Sequence, residues 1–309
     1  MKTEERRKNS PLPSRPTTSA AAVARKTPPA QSRPIQERVA QSSELREAKS
    51  ERNQSSRPRF LEALDKNFRD PIKPGKDDWS QGDEKKLDQA LTGEKKFEHV
   101  DDFHQGSESN CASIAVMKSA MDTFGNQVFE DVKRQPDGSY EVTMRDGYTT
   151  NVSPEELEKA AAAGDFKGAE SQQESYATLM WAAMANRGAD ENFEDAESYD
   201  EALHALQNGA VTKDVPQLLG LQDYMQDVKP EDVPNTDAVV GIARRDGGGH
   251  AVYIDKGQVD LWGNSEDFDP GGFENGENDY DYKEFFTFSE TPQPKPSFWE
   301  KINPLNWFS

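Results

Sequence analysis

Only 33% of the 309 residues are apolar and the mean hydropathy is −0.97, which is too polar for one core to order the whole chain. The net charge of −20 is uneven: residues 1–60 hold 14 Lys and Arg against 6 Glu and no Asp, so that stretch carries +8 and the remainder −28. An acidic body excludes nucleic acid as its partner, because phosphate contacts need a basic surface, and a single cysteine, Cys111, excludes internal disulfides and cysteine-based zinc sites.

Residues 1–59 are rich in Pro, Ser, Arg and Gln, lack aromatics, and read as a disordered basic leader. Its small-residue stretch, Ser19 to Ala24, is short and flanked by Pro and Arg, unlike a secretory signal peptide. No apolar run of about 18 residues exists to form a transmembrane helix. The expectation is a chain that is cytoplasmic, or exported by a route outside general secretion in the manner of bacterial secreted effectors. Residues 60–95 read as a helical pre-segment, starting with Phe60 to Leu64 and continuing in a helix from Trp79 to Leu91 that Gly93 ends.

The main folded domain is expected over 96–290. Ile114, Met117, Ala120, Met121 and Phe124 fall at helical spacing after Cys111, and Gly125 stops the run. Tyr140 to Met144 and Tyr148 to Val152 alternate as strands, the first bracketed by turns at Pro136 to Gly138 and Arg145 to Gly147. Ser153 and Pro154 open a helix as cap and first residue. Further helices follow over Glu174 to Arg187 and Tyr199 to Gln207. Strands then take over: Ala238 to Ala243, His250 to Asp255, Gln258 to Trp262 across a Lys256-Gly257 turn, and Lys283 to Phe288. Helices first and strands later, without β–α–β alternation, predict an α+β domain. Residues 291–309 form a Pro-rich spacer and an aromatic tail ending in Trp307 and Phe308, suited to docking on the domain or a partner.

Gln105 to Cys111 is a polar loop that stops where the apolar helix begins. A thiol there meets the positive end of the helix dipole, which favours the thiolate, the form that attacks carbonyls. The Gln105 amide and the Cys111 backbone N–H can share an oxyanion. His250 follows the glycine run Gly247-Gly248-Gly249 at a strand start, where close approach is easy. In Asp260-Leu261-Trp262-Gly263, Asp260 can orient the imidazole and Trp262 shield it. The turn leaves the third member open. A two-residue turn sets 250 opposite 263 and sends Asp260 to the other face. A turn over 255–257 restores a shared face for Asp260, and one over 256–258 brings Asn264 opposite His250.

In this order, Gln105…Cys111, Gly249-His250-Ala251 and Asp260-Leu261-Trp262-Gly263 resemble papain-like cysteine proteases, most closely the calpain-type branch, over about residues 96–290. Glu174 to Arg187 and Ser198 to Leu203 are similar to that branch's intervening segments. The resemblance implies a two-lobe fold, with the cysteine on a helical lobe and the histidine on an antiparallel β lobe. It implies a cysteine endopeptidase acting on protein or peptide substrates. The site would hold Cys111 as nucleophile, His250 as base, Gln105 at the oxyanion, Asp260 or Asn264 as orienting residue, and Gly249 and Trp262 against substrate. Three departures stand against the pattern: Ala112 replaces an aromatic, Ser109 a glycine, and Asp260 an asparagine. Deamidation or acyl transfer at glutamine, and an inactive papain-like binding module, are the alternative readings. No cofactor or metal is required. The acidic loop Glu266, Asp267, Asp269, Glu274, Glu277, Asp279 and Asp281 offers carboxylates of the kind calcium takes, without the spacing of a known calcium loop.

Overall fold

The chain divides into two units, Met1–Arg59 and Phe60–Ser309. The computed structural model describes residues 72–74, 79–93, 95–97, 100, 103–106, 109–168, 171–245, 248–261, 263–268 and 281–294, all in the second unit. The basic leader, the turn at Phe60 to Leu64 and the aromatic tail lie outside the described residues.

Helix α1 (Gln81–Thr92) starts with a reciprocal capping box between Ser80 and Asp83, which satisfies two of the backbone N–H groups that every helix start leaves open. Strand β1 (Phe103–His104) leads to α2 (Cys111–Phe124), then to the three-stranded meander β2 (Asp131–Arg134), β3 (Tyr140–Thr143) and β4 (Thr149–Val152). Helix α3 (Pro154–Gly164) has the Ser153–Glu156 capping box with proline in its first turn. Strand β5 (Lys167–Gly168) pairs with β1. Helices α4 (Gln172–Glu191), α5 (Tyr199–Gln207) and the one-turn α6 (Val215–Leu218) complete the helical half.

The second half is one antiparallel sheet. Its strands are β6 (Met225–Asp227), β7 (Val239–Arg245), β8 (Gly248–Asp255), β9 (Gln258–Leu261), β10 (Asn264–Asp267) and β11 (Asp281–Phe288), in the order β10-β9-β8-β7-β11-β6. The first half mixes helices with the small β1–β5 and β2–β4 sheets, the fold class is α+β, and the larger sheet fills the second half. Side chains alternate between its faces. Val240, Ala251, Tyr253, Phe286 and Phe288 join the core built around α2 and α4. Val239, Ala243, Val252, Ile254, Val259 and Phe285 form a second cluster with Val233 and Phe268. Tyr282 shares that face with Phe285 despite the odd interval, because the β11 register shifts between Tyr282 and Glu284, as a bulge does.

Helix α2 is buried along nearly its whole length. Polar bonds fix it on the sheet: Ser119 Oγ donates to the Ala238 carbonyl at 2.5 Å, and the Tyr253 hydroxyl donates to Asp122 Oδ2 at 2.8 Å. Strands β2, β6 and β10, absent from the sequence reading, are short and largely exposed, so they carry little of the apolar alternation that marks a strand. No helix among the described residues is long and apolar enough to cross a membrane.

Candidate active site

Cys111 is the first residue of α2. The preceding Asn110 is fully buried, and its Nδ2 donates to the Gly164 carbonyl at the end of α3 at 2.7 Å. That bond fixes the backbone from which the Cys111 side chain projects. On the opposite side stands β8. Its ladder with β9 has only two registered pairs, Ile254 with Val259 and Asp255 with Gln258. Lys256 (φ 48°) and Gly257 (φ 78°) make the turn, both in the left-handed region that a tight two-residue hairpin demands. Beyond Ile254 the two strands part. The Ala251 backbone N–H meets the Cys111 thiol, which also takes the N–H groups of Ala112 and of its own residue.

A small cleft opens where β9 leaves β8, and Gln105, Cys111, Lys118, His250 and Asp260 are among the residues lining it. The structure thus brings the three sequence-predicted groups Cys111, His250 and Gln105 to one place, with Asp260 beside them. The turn is the two-residue form. In that register Asp260 falls on the face of Ala251 and Tyr253, the side of the sheet packed on α2, and so reaches Lys118 and the cleft. Both carboxylate oxygens are engaged: Oδ2 accepts from Lys118 Nζ at 2.6 Å, and Oδ1 accepts from the Gly263 N–H at 2.9 Å.

Asn264, the rival orienting residue, requires correction. It begins the second hairpin, opposite Leu261 on edge strand β10, and is exposed; the cleft-lining residues do not include it. Gly249 is exposed next to His250. Trp262 lies outside the described residues. His104 packs against Gly263, where an added Cβ would come within 2.9 Å of its Nδ1. Of the acidic loop, Glu266 and Asp267 are exposed on β10; the side chains of Asp269, Glu274, Glu277, Asp279 and Asp281 lie outside the description. Among the described residues no group of three His, Cys, Asp or Glu is placed to hold a metal ion.

Electrostatics also departs from expectation. The helix start predicted a thiol shifted toward thiolate. Burial instead pushes the Cys111 pKa up, outweighing the three N–H groups that favour the anion. Burial likewise pulls the His250 pKa down. Burial thus favours the neutral form of both side chains.

Lys118 is the residue that sequence reasoning missed. It is wholly buried in the middle of α2. The signal was present: Lys118 lies four residues after Ile114 and seven after Cys111, on the same helical stripe as the thiol. A lysine on a buried stripe needs a partner. Comparison with protein-family models, with curated proteins and with solved structures gave no match, so the function of this cleft is argued from its own geometry.

Proposed function

We propose that the chain is a cysteine hydrolase acting on protein substrates, with a papain-like division between a helical half carrying Cys111 and a β half carrying His250. The observation that supports this most is the meeting of the first residue of α2 with the parted edge of β8, so that Cys111, His250 and Gln105 line one cleft. Cys111 Sγ attacks the substrate carbonyl carbon while His250 takes the thiol proton. The Gln105 amide and the Cys111 N–H hold the developing oxyanion. The C–N bond then breaks, the leaving amine receives the proton from His250, and a thioester remains. Water, deprotonated by His250, attacks that thioester and releases acid and free thiol. Burial favours the neutral form of both side chains, which suits His250 to act as a general base during attack.

A second reading is a binding module without turnover. The upward shift of the thiol supports it, since a protonated sulfur is a poor nucleophile. One experiment separates the two. A cell extract is treated with wild type or Cys111→Ala, and new protein N-termini and deamidated Gln or Asn are quantified. New termini that require Cys111 support the peptidase. Deamidation alone narrows the reaction to side-chain amides. Neither, with unchanged pull-down of bound proteins, overturns the hydrolase reading in favour of the module.

A further inference from the structure

Burying a charged pair inside a small domain is expensive, and apolar residues of similar volume often do as well or better. Stability alone is then a poor reason for the Lys118–Asp260 pair, and its placement suggests another. Lys118 Nζ lies 2.6 Å from Asp260 Oδ2, 5.3 Å from the centre of the Phe103 ring and 5.8 Å from that of Tyr253. Phe103 sits two residues before Gln105, Tyr253 three after His250, and Asp260 on the strand that leaves to open the cleft. One ammonium on the nucleophile's own helix therefore touches every segment that supplies a group to the site. Cation–ring contacts are tolerant of angle, whereas the charge-assisted bond to Asp260 is directional.

We infer that Lys118 is a positioning residue: its buried ammonium fixes the Asp260 carboxylate beside the cleft and registers the β8–β9 hairpin, with His250, against the helix of Cys111. The inference rests on the Cys111–His250 reading given above. It assigns Asp260 a second role, as the anchor of the hairpin, and makes Lys118 the compensating charge for a carboxylate that lines the same cleft as the imidazole. Titratable groups facing the cleft are Cys111 and Lys118 from α2, His250 and Tyr253 from β8, and Asp260 from β9. His104 of β1 packs on Gly263 next to Asp260, and Asp122 of α2 holds the Tyr253 hydroxyl.

The single thiol makes the test specific. Alkylation of full-length protein by iodoacetamide is followed by intact mass between about pH 5 and pH 9, the range spanning ordinary imidazole and thiol titration. His250→Ala identifies the limb of the rate profile that the imidazole controls. Lys118→Met leaves Asp260 uncompensated and moves that limb to higher pH by about one unit, the scale of one nearby charge. Asp260→Asn moves it the other way, and the double variant Lys118→Met/Asp260→Asn returns it toward wild type. A purely structural lysine would lower the melting temperature without moving the limb. Should Lys118→Met fail to fold, Asp260→Asn and the neutral double variant carry the comparison. If His250→Ala abolishes the limb while neither charge variant moves it, the positioning role is overturned and the site reading stands. If His250→Ala leaves the profile unchanged, the site reading itself fails.

Discussion

Burial acts on both candidate catalytic side chains, favouring the neutral form of each: the Cys111 thiol is shifted up and the His250 imidazole down. The linkage to stability follows with opposite signs in pH. A histidine with a depressed folded pKa contributes stability that is present above its unfolded value, about pH 6.5, and lost as pH falls through the folded value. A cysteine with a raised folded pKa contributes below its unfolded value, about pH 8.5, and loses that contribution as pH rises. The free-energy difference between wild type and His250→Gln should therefore be flat near neutrality and change below about pH 6.5, by at most about 1.4 kcal/mol per pH unit. Denaturant titrations at stepped pH measure it, and a difference that stays constant into acid would contradict the burial of an uncharged imidazole. At this scale the candidate nucleophile and base were legible, one as the only thiol and the other behind a glycine run. Lys118 was not singled out, because an apolar period shows which face is buried and is silent on which distant carboxylate will meet a cation there.

Among the elements, the ends matter most for placing the site. Helix α2 stops at Gly125, which has φ 62°, and an added Cβ would overlap the Lys95 carbonyl oxygen. That carbonyl accepts the Asn126 N–H at 2.8 Å, and Asn126 Nδ2 donates to the Ala90 carbonyl at 2.9 Å. A side-chain-free turn thus lets the helix of Cys111 dock on the segment following α1. Gly125→Ala should lower stability by at least about 1–3 kcal/mol, from left-handed strain plus the overlap. A shifted urea midpoint with an unchanged slope checks this; an unshifted midpoint would mean that the turn relaxes freely. The sequence identified Gly125 as a stop and Lys256-Gly257 as a hairpin. It left three registers open because Lys256 is an unusual residue for φ 48°, and residue type alone does not point to a two-residue turn there. The second hairpin went unseen for a plainer reason: Asn264 to Asp267 are all exposed and all polar.

Across the molecule, charge is the dominant long-range feature. Beyond residue 60 the sequence carries −28, and like charges at that density repel one another and oppose compaction. Raising salt from about 10 mM to about 150 mM shortens the screening length from about 30 Å to about 8 Å. The melting temperature should rise over that interval, by about 2–4 °C for each kcal/mol of repulsion relieved. A melting temperature that falls with salt would show that paired charges outweigh the repulsion. The α+β class was readable from element order, since helical periods precede alternating ones. How the halves meet was not readable, because contacts such as Ser119 with Ala238 and Tyr253 with Asp122 join residues more than 100 positions apart.

One feature of the helix core bears on how the protein comes into being. Lys118 and Asp260 are 142 residues apart, and synthesis delivers α2 to the folding chain long before β9. Until that strand arrives, the helical half contains an ammonium with no carboxylate from β9, on the stripe it must bury. Closing so distant a contact is slow relative to forming local helices. The helix of Cys111 therefore completes its polar contacts only once β9 has been made and docked, so the cleft is a product of long-range closure and not of either half alone.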